Sequence, residues 1–321
     1  MCTAVTWQNG EHYFGRTLDH DSTWGEEVTV MPRNFMLPNL KGPHYAMIGM
    51  AHVVQDHPLY YDGMNEKGLA MAGLNFVGNA VYQKPVQNKE NLPHYDFISR
   101  ILGTCATVKQ ARAVIEGLNL TGEAFSEDLP PAQLHWLIAD KQESITVEPM
   151  GDGLRIWENP VGVLTNNPSF PQQLFELNNY RHLSPKPPRN RFSEDLELEL
   201  YSRGMGALGL PGDLSSRSRF VRAAFVKCNS RSGQSEKENV SQFFHILGSV
   251  DQPRGCCEVE EGRYEITVYS ACCSADRGIY YYTTYDNHQI TAVDMHRCDL
   301  NGTVLTRFPL LAGERINLQN L

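Results

Sequence analysis

No stretch of this chain approaches the ~18 consecutive apolar residues that a membrane span requires. No positively charged start leads into an apolar run, so the pattern of an export signal is missing and a cytoplasmic location is expected. Positive charge is in short supply, with 28 Lys and Arg against 37 Asp and Glu and a net charge of −9. Nucleic acid and anionic membranes both reward a basic surface, so neither is expected as a partner. Phosphate-cradling loops of the GxGxxG or GxxxxGK[ST] kind are absent, and the eleven histidines contain no HExxH pairing. Cysteine is present without metal spacing. Among the eight cysteines are the adjacent pairs Cys256-Cys257 and Cys272-Cys273, whereas zinc ligation wants roughly two to four residues between ligands. No metal and no cofactor is therefore expected. Every cysteine except Cys2 reads as a small buried residue or a free thiol.

What is present is an ordinary globular composition of 321 residues, 41% hydrophobic and 20% charged, long enough to bury a sizeable core. Short strands joined by turns dominate. Asn9-Gly10 separates Ala4–Trp7 from His12–Arg16, Asn65–Gly68 separates Leu59–Tyr61 from Leu69–Ala72, and Asp152-Gly153 separates Ile145–Val147 from Leu154–Trp157. Helical spacing appears in Val108, Ala111, Ile115 and Leu118 behind a Thr107/Gln110 capping pattern. It appears again in Ser218–Val226 and in Val240, Phe243, Phe244 and Leu247. Hairpin groups with helices between them predict an α+β protein of antiparallel sheets with helices packed on their outer faces. The Pro-rich stretch Ser184–Arg191 is too short to separate independent domains. The organisation expected is one domain over residues 1–321 with an excursion at about 184–208.

One cysteine has a position that implies chemistry. If Met1 is removed, Cys2 joins a thiol and a free α-amine on one residue, a nucleophile with its own base. Small second residues such as Cys generally permit that removal, although a second-position cysteine is more often incidental. The first hairpin can bring it neighbours. A two-residue Asn9-Gly10 turn places Cys2 across from Thr17, with Asp19 on the face of the sulfur and Arg16 on the other. A three-residue loop ending at Gly10, or a bulge at Gly15, places Arg16 against the sulfur, and this second arrangement is expected. A guanidinium there stabilises thiolate, and a carboxylate at Asp19 can orient the α-amine. A plain surface Arg-Asp pair fits the same residues.

Beyond the hairpin, a series of motifs carries a resemblance. They are Met1-Cys2-Thr3, Phe14-Gly15-Arg16 with Asp19, Asp62-Gly63-Met64-Asn65-Glu66-Lys67-Gly68-Leu69, and Ala72-Gly73-Leu74-Asn75-Phe76. Leu134-His135-Trp136, Gly162–Pro168, Gly209–Asp213, Ser218-Arg219-Phe220 and Gly278–Tyr282 with Thr284-Tyr285 follow in order. The chain resembles the choloylglycine hydrolase family, the bile salt hydrolases and penicillin V acylases among the N-terminal nucleophile hydrolases. The resemblance implies an αββα four-layer sandwich and cleavage of an amide through a Cys2 thioester. It implies Arg16 and Asp19 in the roles above, Asn75 and Asn166 at the oxyanion hole, and Arg219 as a second active-site arginine. Asn166 would supply its side-chain amide and Asn75 its backbone N–H. Asn75 follows the bile salt hydrolase pattern, where penicillin V acylases often carry Tyr.

The implied substrates are glycine- or taurine-conjugated bile salts, with penicillin V, other N-acyl amides or binding without catalysis as rivals. Leu18, Tyr60, Tyr61, Phe76 and Leu137 adjoin matched motifs and are candidates for an apolar groove, and each suits a core equally. The 184–208 excursion resembles the assembly loop of homotetrameric members. Its Ser202-Arg203-Gly204 resembles a signature of taurine preference, in which Arg203 would pair with a sulfonate.

Overall fold

The computed structural model describes residues 1–40 and 42–320. From the amino end the chain forms β1 (Cys2–Asn9), β2 (Glu11–His20), β3 (Glu27–Met31), β4 (Met47–Val54), β5 (His57–Asn65) and β6 (Ala70–Asn75). A short β7 (Glu90–Pro93) leads to α1 (Phe97–Thr104), α2 (Val108–Glu116) and β8 (Leu118–Thr121). Then come β9 (Leu134–Ala139), β10 (Ser144–Met150), β11 (Gly153–Glu158), β12 (Val163–Leu164), α3 (Phe170–Glu176), α4 (Ser216–Asn229) and α5 (Glu236–Gly248). The chain closes with β13 (Glu258–Glu260), β14 (Arg263–Tyr264), β15 (Ile266–Ser274), β16 (Ile279–Thr284), β17 (Asn287–Asp294) and β18 (Thr306–Pro309).

Two large sheets result, ordered β12-β1-β2-β15-β16-β17 and β11-β10-β9-β6-β5-β4-β3-β18. Neighbouring strands in both run antiparallel. Helices α4 and α5 pack on β1, β2 and β15 of the first sheet, and α1 packs on β5 and β6 of the second. The sheets face each other through β1, β2, β5 and β6. This is the expected αββα sandwich.

A central strand in such a sandwich is covered by a sheet on one face and a helix on the other. It therefore loses the apolar/polar alternation of a half-exposed strand. In β1 every residue from Cys2 to Trp7 is buried, and in β2 every residue from His12 to Asp19 is. Polar residues on these strands, Thr3, Arg16, Thr17 and Asp19, must then find partners inside the protein.

Several helices form where the periodicity places them. Thr107 caps α2 by accepting from the Gln110 N–H, while Gln110 Oε1 accepts from Ala106 N–H rather than from the cap residue itself. The reciprocal capping box is in α5, between Ser235 and Glu238. Leu118, read as the end of the α2 face, belongs instead to β8, which pairs parallel with β7 and is an exception to the antiparallel expectation. Helix α1 has no counterpart in the sequence reading, although Phe97, Ile98, Ile101 and Leu102 recur at helical spacing along its buried face. The 184–208 excursion is pinched at its base. Ser184 N–H donates to the Gly206 carbonyl at 2.9 Å, and a Cβ at Gly206 would lie 2.0 Å from the Lys186 carbonyl.

Two buried histidines make the fold acid-sensitive. Burial is the first cause that lowers both His12 and His94 from 6.5 to about 4. Unfolded, each returns to its ordinary value and binds a proton that the folded chain refuses. Stability from this source is therefore complete above pH 6.5 and is lost as pH falls toward 4. The melting temperature is expected to drop across that window, by a loss on the order of 2–3 kcal/mol for each histidine. His12→Gln should flatten part of the drop in a pH series of thermal melts.

Candidate active site

The first hairpin turns on Gly10, whose φ of +78° only glycine adopts readily. Asn9 pairs with Glu11 across it, and the ladder runs back to Cys2 opposite Leu18 and Ala4 opposite Arg16. Neither anticipated register occurs, and Gly15 is not bulged. It pairs regularly with Val5 and Cys272, and it must be glycine because a Cβ would lie 1.9 Å from the Ala271 carbonyl. The expected contact forms all the same. Cys2, Arg16 and Leu18 share one face of the sheet, and the guanidinium reaches diagonally so that Arg16 Nη2 donates to Cys2 Sγ at 2.5 Å.

Arg16 is seated by the opposite sheet. The β5–β6 ladder ends at Asp62 opposite Ala72, and beyond that rung the strands part. Arg16 Nη1 fills the opening by donating to the Gly73 carbonyl at 2.5 Å and the Tyr61 carbonyl at 3.2 Å. Burial alone would lower Arg16, but Cys2, Tyr269, Asp62 and Asp19 outweigh it and hold the guanidinium above its ordinary range. A fixed cation on the sulfur favours negative charge there.

Asp19 lies on the other face, toward the helices. Its carboxylate accepts from Thr267 Oγ1 at 2.8 Å and Thr17 Oγ1 at 3.1 Å, with Arg219 Nη1 3.9 Å away. Burial disfavours both charges, raising Asp19 and lowering Arg219, and their mutual attraction offsets part of each. The expectation that Asp19 holds the nitrogen of Cys2 is not met here; Asn166 does that. Cys2 N–H donates to Asn166 Oδ1 at 2.8 Å, and Arg219 Nη2 donates to the same oxygen at 2.7 Å. Arg219 Nη1 also donates to the Cys2 carbonyl at 2.5 Å and to Thr3 Oγ1 at 2.6 Å. Met1 is still attached, with its α-ammonium paired with the Glu265 carboxylate and lowered chiefly by burial.

Asn166 is fixed from every side. Its N–H donates to Ser216 Oγ at 2.9 Å, its carbonyl accepts from Gln173 Nε2 at 2.5 Å, and its Nδ2 donates to the Asn75 carbonyl at 2.8 Å. Phe76 N–H bonds to the Gln133 carbonyl just ahead of β9, so by alternation the Asn75 N–H points away from β9. There it meets the opening left by β5. One side-chain amide hydrogen of Asn166 is engaged by Asn75, and a second can face a developing oxyanion. His135, within the Leu134-His135-Trp136 motif, is a core histidine. It is fully buried, stacked on Phe76 at 4.3 Å, and bonded to Glu148 at 3.2 Å and the Thr165 carbonyl at 2.7 Å.

A cavity of about 360 Å³ opens over the sulfur. Cys2, Arg16, Asp19 and Asn75 line it, as do the groove candidates Leu18, Tyr60 and Tyr61. Asn166 and Arg219 stand behind it. Of the groove candidates, Phe76 and Leu137 take the core alternative, both fully buried and outside the lining. Arg203 is exposed on the excursion and does not line the cavity of its own chain. The apolar wall comes largely from a segment that sequence motifs did not mark, Phe125, Leu129, Pro130 and Pro131, with Leu134, Leu59 and Trp24 completing it. Among the described residues no group of His, Cys, Asp or Glu is arranged to hold a metal ion.

A cysteine at the head of a central strand, between two sheets with helices on their outer faces, is the layout of the Ntn-hydrolase fold. Residues 2–308 match the linear amide C–N hydrolases of the choloylglycine hydrolase family, and this chain belongs to that family. It is 54% identical over 314 residues to a bile salt hydrolase/transferase of Lactiplantibacillus plantarum, covering 97% of both chains. It is 35% identical to the bile salt hydrolase/transferase of Clostridium perfringens, covering 96% of each. A solved mutant of the Clostridium perfringens conjugated bile acid hydrolase superposes with a TM-score of 0.92 at 34% identity, covering all of both chains. A penicillin V acylase of Agrobacterium tumefaciens shares the fold, with a TM-score of 0.77 at 21% identity over 97% of this chain and 92% of that one.

Proposed function

We propose that this chain is a bile salt hydrolase that cleaves the amide of glycine- or taurine-conjugated bile acids, with Cys2 as its amino-terminal nucleophile. The observation that carries the reading is the Arg16 guanidinium bonded to Cys2 Sγ at the floor of an apolar cavity. The relatives' names supply the substrate class.

Once Met1 is removed, the nitrogen bonded to Asn166 Oδ1 becomes the α-amine of Cys2. Sulfur attacks the substrate carbonyl carbon, and the thiol proton passes to that amine. The tetrahedral oxyanion is met by the Asn75 N–H and by an Asn166 amide hydrogen. The carbon–nitrogen bond then breaks, with the proton delivered to the departing glycine or taurine nitrogen, leaving an acyl thioester on Cys2. Water attacks the thioester, the α-amine accepts its proton, and the bile acid leaves as the thiol is restored. Arg219 holds the Cys2 carbonyl from the far side of the sheet, with the Asp19 carboxylate 3.9 Å away as its counter-charge.

Leu18, Tyr61, Leu59 and the Phe125–Leu134 wall would take the sterol. Side-by-side kinetics test the assignment: a kcat/KM on taurocholate or glycocholate far above that on penicillin V supports it, and the reverse order makes the chain a penicillin V acylase. Taurine preference is assigned to Arg203, which must then reach the substrate of a neighbouring subunit. Arg203→Ala is expected to lower the tauro/glyco ratio of kcat/KM about tenfold, the loss of one charged contact. An unchanged ratio removes Arg203 from the account.

That assignment goes with a cytoplasmic homotetramer. Its support is the exposed apolar series Phe192, Leu196, Leu198, Leu200 and Tyr201 on the excursion, a patch that a lone chain would leave in water. Light scattering reads the mass directly, and a monomer at working concentration contradicts it.

A further inference from the structure

The interior behind Arg16 contains a carboxylate that no step of the hydrolysis uses. Asp62 is 1% exposed, at the last rung where β5 and β6 still pair. The next residue outward, Tyr61, is the extra residue of a bulge against β4, and its carbonyl is one of the two that seat Arg16. Asp62 spans the space between the sheets. Tyr269 Oη on β15 donates to Oδ2 at 2.5 Å, and Tyr280 Oη on β16 donates to Oδ1 at 2.6 Å. Each carboxylate oxygen thus accepts from a phenol, an arrangement that stabilises the ionised form against the cost of burial. Burial is the first influence on Asp62 and raises it, while Arg16, Tyr269 and Tyr280 pull the other way. Burial also pushes both phenols well above their ordinary range, which keeps them as donors.

Charge surrounds Cys2 in matched pairs. On the helix side of the sheet Arg219 lies 3.9 Å from Asp19, and on the inner side Arg16 and Asp62 attract each other without a direct bond. All four are at most 1% exposed. The thiol of Cys273 on β15 lies near Asp62, the sulfur of Cys2 on β1 lies on Arg16, and Glu265 lies farther out beside Met1. A buried guanidinium without an anion is costly. If Asp62 were neutral, the remaining group on the inner face able to balance Arg16 would be the thiolate of Cys2.

We propose that Asp62, clamped by Tyr269 and Tyr280, is a positioning residue for amide hydrolysis: it supplies the counter-charge that keeps Arg16 seated while Cys2 is still a thiol, and so sets the pH at which the thiol ionises. The inference rests on Cys2 being the nucleophile. In Asp62→Asn the shape is kept and the charge is lost, so the thiol must ionise earlier to balance Arg16.

The test is the rate of iodoacetamide alkylation at Cys2, resolved by peptide mass spectrometry, as a function of pH in processed parent and Asp62→Asn enzyme. The inflection is expected to move to lower pH by about one unit or more. With it, kcat should fall between about tenfold and a hundredfold at nearly constant KM, because the over-paired sulfur is poorly aligned for attack. A folded Asp62→Asn variant with the parent inflection overturns the proposal, whatever its melting temperature. Should that variant fail to fold, Tyr280→Phe weakens the same anion and must shift the inflection in the same direction by less; no shift there also overturns it. If alkylating Cys2 of the parent leaves turnover intact, the nucleophile assignment fails instead, so the two failures are distinguishable.

Discussion

Cys2→Ala is expected to abolish bile salt hydrolysis, a loss on the order of 10⁴-fold or more, while leaving the fold intact. The removed atom is the one that must bond to carbon, and nothing else in the chain can replace it. Cys272 and Cys273 are fully buried, and burial holds their thiols well above the usual range. Cys105 is buried beside α1 and raised for the same reason. Cys228 and Cys256 are exposed, Cys257 and Cys298 are half-buried, and all four lie outside the cavity lining. The Cys2 side chain contributes little packing volume, so thermal melts should show only a small change. Cys2→Ser should also fall near background: it keeps the hydrogen-bonding shape but gives Arg16 a far poorer anion to stabilise. Steady-state hydrolysis of taurocholate by the intact and substituted enzymes reads the effect directly.

Asn166→Ala should produce the next largest loss, about 10²–10³-fold in kcat. Three bonds depend on that side chain: the acceptor for the Cys2 nitrogen, the acceptor for Arg219 Nη2, and the donor to the Asn75 carbonyl. The first aims the base, the second keeps Arg219 on the Cys2 carbonyl, and the third positions the strand whose N–H faces the oxyanion. Asn166→Asp should be no milder than alanine. It keeps the acceptor but turns an oxygen toward the Asn75 carbonyl, where two acceptors repel. KM should change little in either variant, since the oxyanion that Asn166 meets exists only in the transition state. A rise in KM at unchanged kcat would instead make Asn166 a ground-state binding residue.

Much of this site is legible in the sequence because strand geometry is periodic. Cys2 and Arg16 lie on one even-numbered face, and any hairpin register that pairs even with even positions brings them together. The register itself differs from expectation because Gly10 alone, at positive φ, makes the turn tighter than either Asn-Gly geometry considered. Alternation misleads at Asp19 for a related reason. Residues 17 and 19 share the helix-side face, so the carboxylate meets Arg219 and Thr267 and not the nitrogen. Reading the groove from motif neighbours fails for Phe76 and Leu137. Strands buried on both faces give no sign of which face is cavity and which is core. The true wall at Phe125–Pro131 is irregular chain with no period to detect. Asp62 sits in plain view within a matched motif, yet its partners Tyr269 and Tyr280 lie more than two hundred residues away, and only the folded sheets place them on its two oxygens.

The central claim is that Cys2 is inert behind Met1 and becomes a catalyst as the first residue. Intact-mass spectrometry of the amino terminus, paired with taurocholate turnover on the same sample, tests this most directly. The predicted result is that turnover tracks the fraction of chains beginning at Cys2 and vanishes when that thiol alone is alkylated. Full turnover by chains that retain Met1, or by chains alkylated at Cys2, would contradict it.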